Sequence, residues 1–113
     1  MTVKINTPMA TPFHLAESIA YSDSSVISKT LIDKGIGNIT LFSFDRGQGL
    51  SEHTSPFDAV VYLLDGKCRV TIGTKTQTVK SGEMIVMPAN IPHSLSAGER
   101  FKMLLIMIRK KST

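Results

Sequence analysis

An all-β sandwich or barrel is the fold class that this sequence predicts, on three observations. Short runs that alternate every two residues, or are apolar throughout, recur along the chain. Glycine or proline turns separate them. No long stretch carries the 3.6-residue period of an amphipathic helix. The 113 residues fit one domain. A chain of this length buries roughly 65% of its unfolded surface, enough for one core.

Residues 1–23 are the least regular part and form an irregular N-terminal segment. Within it "PFHLAESIAYSD" has room for one or two helical turns around Leu15 to Ile19. Residues 24–113 hold the strands. "SVISKTLI" (25–32) is rich in β-branched residues, and "DKGIGN" (33–38) has the composition of a turn. "NITLFSFD" (38–45) follows as a strand, with Ile39, Leu41 and Ser43 on one face and Thr40, Phe42 and Phe44 on the other. "RGQGLSE" reads as another glycine turn. "AVVYLLD" (59–65) is apolar on both faces, as in a barrel wall, and Gly66 is expected to end it. "KCRVTIG" (67–73) turns Cys68, Val70 and Ile72 one way and Lys67, Arg69 and Thr71 the other. "TKTQTVKSG" (74–82) is polar and edge-like, its lysines and threonines discouraging edge pairing. "EMIVMP" is expected as a short buried strand closed by Pro88. "HSLSA" and "RFKMLLIMIR" (100–109) complete the set.

Composition narrows the class. Apolar residues make up 42% and charged residues 19%, near the average for ordered domains. Cys68 is the only cysteine, so neither an internal disulfide nor a cysteine-rich zinc site can form. "MTVKINTPMATPF" is too polar for a secretory signal, and no apolar run approaches a membrane span, so the default location is the cytoplasm. The net charge of +4 is spread along the chain except for "RKK" at 109–111. That cluster follows the apolar "MLLIMI" and reads as a solvated end that keeps the last strand soluble. Neither a helix-turn-helix pattern nor interleaved basic and aromatic residues point to nucleic acid.

Two segments carry the chemistry, "GQGLSEHTSPFDAVVYLLDG" (47–66) and "GEMIVMPANIPHSLSA" (82–97). Gly47, Gly66 and Gly82 stand where the chain must turn sharply. Pro88 and Pro92 bracket "ANI" and lack backbone donors, so neither suits a central ladder position. Together the segments resemble the two motifs of the cupin family, in order and spacing, over about residues 36–108. The resemblance implies an RmlC-like jelly-roll β-barrel with an internal pocket. It also implies a homodimer to which the N-terminal segment contributes. Where the family pattern has a further glycine this chain has Asn90, the residue that next best tolerates positive φ.

In the family, two histidines separated by one residue, a glutamate and a last histidine hold a divalent transition metal. Carried over position by position, these become His53, Ser55, Ala59 and His93. Two of the four ligand positions remain, whereas stable first-row sites usually have three or more protein ligands. Asp58 and Glu52 are each one residue out of phase and should face away; Cys68 and His14 are the other candidates. Three readings of His53 and His93 stay open. They are a tentative, incomplete metal site, neutral imidazoles hydrogen-bonded in a pocket wall, or acid–base groups acting on a bound molecule.

Met84, Met87, Met103 and Met107 add a smaller signal, and Phe101, Met103, Leu105 and Met107 share one face. They are either core filler or the wall of a pocket for a largely apolar ligand. The expectation is a small cupin-domain protein binding a small molecule near His53, Ser55, His93, Met87 and Met103, with a degenerate metal site. The alternatives are a metal-dependent dioxygenase or isomerase using His53 and His93, and a sensory module acting through a separate partner. Neither nucleic acid nor membrane is expected as a partner.

Overall fold

The structure, a computed structural model, describes residues 7–109 in full and residues 2–4 as backbone. Nine strands make up the described fold: β1 (Thr2–Lys4), β2 (Val26–Lys34), β3 (Gly37–Phe44), β4 (Gly49–His53), β5 (Phe57–Ile72), β6 (Lys75–Lys80), β7 (Met84–Met87), β8 (His93–Ser96) and β9 (Phe101–Arg109). They are ordered β1-β2-β3-β9-β5-β8-β4, with β6 and β7 also paired to β5. Pairing is antiparallel apart from β1, which runs parallel to β2. The sheet curls on itself into the all-β jelly-roll barrel.

The long strand β5 belongs to both walls. Its first part, Phe57–Gly66, pairs with β9, and Ala59–Tyr62 also pairs with β7. Its second part, from Lys67 to Ile72, pairs with β6, and Arg69–Ile72 also with β8. The register shifts between Leu63 and Asp65, a bulge of the kind that lets one strand pass from one sheet to another. Gly66 therefore does not end a strand, as its sequence context suggested. It sits inside β5 at φ +75° and pairs with Phe101. The bend is sharp, but the ladder to β9 carries the strand across it.

Three other expectations change. "RGQGLSE" is mostly strand, because β4 zips onto β8 through Gly49–Ser96 and Leu50–Leu95. β7 is not a buried strand. It pairs only with β5, so Met84 and Val86 stand more than half exposed while Met87 is buried. The N-terminal segment holds the short strand β1 as well as a 3-10 turn at Ala16–Ser18, inside the stretch expected to turn helically. Pro88 and Pro92 lie just outside β7 and β8, and Asn90 has φ +65°.

Both faces of β3 are used, since Leu41, Ser43, Phe44 and Thr40 are all buried. The core fills the barrel with Phe44, Val61, Leu63, Cys68, Val70, Phe101 and Met103, each fully buried. Phe44 and Phe101 stack with ring centroids 4.5 Å apart. The 3-10 turn and the two residues after it strap the outside of β2, β3 and β9. Ile19 is buried, Lys29 donates to Ser18 O at 2.9 Å, Lys102 to Ala16 O at 2.6 Å, and Ser43 to Ala20 O at 2.8 Å. The two lysine bonds satisfy carbonyls that a single helical turn leaves without partners. Arg109 lies over the Phe57 ring, whereas Lys110 and Lys111 of the basic cluster lie outside the described residues. No described helix is long and apolar enough to cross a membrane.

Candidate functional site

Strands β4 and β8 place His53 directly opposite His93. Their ring centroids are 4.4 Å apart and the planes cross at 69°. His93 is buried, and His53 is exposed at the rim. Each ring is oriented in the same way. His53 Nδ1 lies 2.7 Å from Ser51 O, and His93 Nδ1 lies 3.1 Å from Ile91 O. A carbonyl only accepts, so in the neutral rings both Nδ1 atoms carry the hydrogen and both Nε2 atoms keep a lone pair. Neither Nε2 has a partner among the described residues.

The opposite wall comes from the first part of β5. Ala59 pairs with Met87 on β7 on one side and with Met107 on β9 on the other. Residues opposite one another in a ladder share a face, so the alanine is flanked by two methionines. The two walls enclose a cavity of ≈ 40 Å³ lined by His53, Ser55, Ala59, Met87, His93 and Met107, with Leu50, Leu95 and Leu105 completing it. The loops behind it are tied together. Asn90 N donates to Ser55 O at 2.8 Å, and Ala89 N donates to Asp58 Oδ1 at 2.9 Å.

His53, Ser55, His93 and Met87 thus meet at one cavity. Met103 does not reach it. It is fully buried in the core, on the same face of β9 as Met107 but closer to Phe101, opposite Phe42 and Leu63. The alternation of β9 gave the correct face without saying how deep along the strand the cavity lies. Met107, in phase with Met103, was the legible alternative, and Ala59 was legible only as a missing ligand.

The donor set does not fit the divalent metal that the sequence resemblance implies. Among the described residues no three histidine, cysteine, aspartate or glutamate side chains converge. Ser55 Oγ lies 3.2 Å from Phe57 N, whose hydrogen it accepts, and 3.3 Å from Phe57 O, so its hydroxyl serves a local turn. Asp58 faces outward as alternation requires, and Glu52 is exposed. Cys68 is fully buried in the core, where burial pushes its thiol up to about 12. His14 is exposed beside Glu17 at 3.9 Å. Two neutral imidazoles would leave a divalent ion short of ligands and without a compensating anion.

A second polar cluster lies at the other end of β9, six residues or about 20 Å along the strand. Arg100 donates through Nε to Asp45 Oδ1 at 2.7 Å, and Ser24 N donates to Asp45 Oδ2 at 2.6 Å. These bonds, the arginine's first, lower the Asp45 carboxyl to about 2. Burial, and then the hydrogen bond to Asp65, raise the Tyr21 phenol well above its ordinary value. Arg100 and Lys102 flank the Tyr21 ring at 5.3 and 5.0 Å. The cluster pins the N-terminal strap to the barrel and shares no residue with the cavity.

Comparison with known proteins agrees with this architecture. The family model described as "Cupin domain" matches residues 40–108. A conserved protein of unknown function from Streptococcus pyogenes is 38% identical, with a TM-score of 0.90, the match covering 96% of this chain and 95% of that one. A cupin 2 conserved barrel domain protein from Leptotrichia buccalis is 42% identical, with a TM-score of 0.84. That match covers 86% of this chain but 47% of the other, so this chain spans about half of that protein's length. A cupin superfamily protein from Desulfitobacterium hafniense is 28% identical, with a TM-score of 0.88, covering 94% and 97% of the two chains. No functionally curated protein matches the chain.

Proposed function

The chain belongs to the cupin domain family, and from that premise we propose that it binds a small molecule inside the barrel, at the His53–His93 pair, without the family's usual divalent metal. One observation carries this reading. Both imidazoles have Nδ1 tied to a backbone carbonyl two residues back, which leaves two Nε2 acceptors at a cavity otherwise walled by leucine, methionine and alanine. Two fixed acceptors on an apolar wall suit a ligand that is mostly apolar and donates one or two hydrogen bonds. At ≈ 40 Å³ the cavity takes only a few heavy atoms as the walls stand. Met87 and Met107 have flexible side chains, which allow a larger ligand by moving aside.

A graded series of probes tests the reading: methanol, ethanol and phenol, followed by NMR at the methionine methyls and the histidine rings. Saturable shifts at Met87, Met107 and His93 are expected for at least one probe. Ala59→Leu, which fills the cavity, should abolish them while leaving the melting cooperative. If no probe gives a saturable shift, or if Ala59→Leu leaves the shifts unchanged, the cavity is not a binding site.

The same reading includes a homodimer. Ile32, Ile36 and Ile108 stand exposed around an apolar depression of ≈ 320 Å³ at the β2–β3 turn. Met9 and Phe13 of the N-terminal segment are also exposed. Clustered exposed apolar surface of this kind supports packing against a second copy.

A further inference from the structure

We propose that the outer face and open edge of the β5–β6 hairpin form a docking strip for an extended, acidic segment of a partner protein, added to β6 as a further strand. The strip shares no residue with the His53–His93 cavity and does not depend on the reading given for it. Register supplies the first observation. Lys67 on β5 stands directly opposite Lys80 on β6, and Arg69 stands between Thr78 on β6 and Ser96 on β8. Cys68, Val70 and Val79 take the buried face, so the two lysines and Arg69 share the outer one, where all three are exposed. Like charges directly opposite one another in a ladder are destabilising, and nothing offsets them here. None of the three side chains has a hydrogen-bond or ion-pair partner among the described residues. Residues 66–81 hold four cations and no acidic residue. By contrast, Lys29, Arg100, Lys102 and Arg109 each hold a carbonyl, a carboxylate or a ring.

The second observation is the edge. Among the described strands β6 pairs only with β5, which leaves the backbone groups on its other side open. Room lies beside it, in a depression of ≈ 460 Å³ lined by Gln77, Thr78 and Val79 and, across the turn, by Glu83, Met84 and Ile85. Glu83 Oε1 accepts from Lys80 N at 2.8 Å, so that carboxylate is committed to the β6–β7 turn. A second depression, of ≈ 180 Å³, is lined by Lys67, Arg69 and Thr78, with Glu99 as the only carboxylate on its wall. An added strand brings backbone partners to the edge and a carboxylate to the cations at every second position. Lysines that keep two copies of β6 apart by like-charge repulsion therefore favour an acidic strand. Single-stranded nucleic acid fits less well, because residues 66–81 carry no aromatic side chain on which bases could stack.

The test titrates the full chain into a fluorescent peptide that alternates glutamate and threonine, which puts every carboxylate on one face of a strand. Saturable binding is expected, weakening as salt is raised. Amides within Lys75–Lys80 should exchange more slowly in the complex, which contact through side-chain charges alone would not cause. Methylating two consecutive backbone nitrogens of the peptide keeps its charge and removes ladder donors, and should weaken binding at least about tenfold. The Lys67→Thr/Arg69→Thr/Lys80→Thr variant should also lose at least about tenfold while still melting cooperatively. An oligothymidylate of equal charge should bind more weakly than the peptide. The exchange and methylation readouts do not depend on any variant folding. No saturable peptide binding, undiminished binding of the methylated peptide or by the triple variant, unchanged exchange in β6, or tighter binding of the oligothymidylate would each overturn the proposal. The alcohol and phenol titrations test the cavity separately, so neither result decides the other.

Discussion

Asp45 shows how far one residue can be read from its surroundings. The Arg100 guanidinium and the Ser24 N–H both favour its ionised form, so its folded value is about 2 against an ordinary 3.8. A carboxyl depressed on folding contributes stability that is complete above its unfolded value. That stability is lost as pH falls through the folded one. The window therefore runs from about pH 4 down to about pH 2. Asp45→Asn is expected to lower the melting temperature at pH 6 and to flatten its decline between pH 4 and 2, both measured by circular dichroism. Neither partner was legible beforehand, since Arg100 is 55 positions away and meets Asp45 only in the fold. Asn90 is the opposite case. Its tolerance of positive φ was readable from its chemistry, and the structure holds it at +65°.

Among the elements, β5 decides the architecture, and Gly66 decides β5. A Cβ built at Gly66 would lie 2.1 Å from Arg100 O, and the residue's φ of +75° is unfavourable for any side chain. Gly66→Ala should therefore cost about 2 kcal/mol or more, because strain and collision fall on backbone that cannot retreat without breaking the pairing to Phe101. Gly35→Ala is the control, since open space surrounds that position. Urea denaturation of both variants checks the contrast, and equal stabilities would refute this account of Gly66. The sequence marked Gly66 as a sharp turn and went wrong only in ending the strand there. Whether a bend keeps its ladder depends on what lies alongside, here β9, and local sequence does not contain that. The polar β6 was readable as an edge, whereas β7 was not. "MIVM" is apolar enough for a buried strand, and only the absence of a second neighbour among the described strands exposes Met84 and Val86.

On the scale of the whole molecule, curling brings two rows of side chains from different walls against one small cavity. It also leaves the β2–β3 end of the barrel apolar. The homodimer proposed there predicts a mass near twice that of the chain by light scattering at micromolar concentration. Ile36→Lys, at a side chain 78% exposed in the single chain, should shift that mass to the monomer without lowering far-ultraviolet ellipticity. A monomeric wild type would remove the proposed interface. The cavity is independent of this interface except at Met107, which touches both depressions.

The sequence by itself determined the all-β class, most strand positions, the two alternating faces of β3, β9 and the second part of β5, and the two glycine-anchored motifs that carry the resemblance. It could do so because two-residue alternation and turn chemistry are local properties. It also exposed the loss of two metal-ligand positions, at Ser55 and Ala59. Only the tertiary structure decided what stands in their place. His53 and His93 are 40 positions apart, Ala59 and Met107 are 48, and their meeting depends on register between strands that sequence alone does not align. Depth along β9 did the same for Met103 and Met107, sending one into the core and the other to the cavity wall. The physical reason is that a strand's face repeats every two residues, while its place in the barrel is fixed once, by its partners.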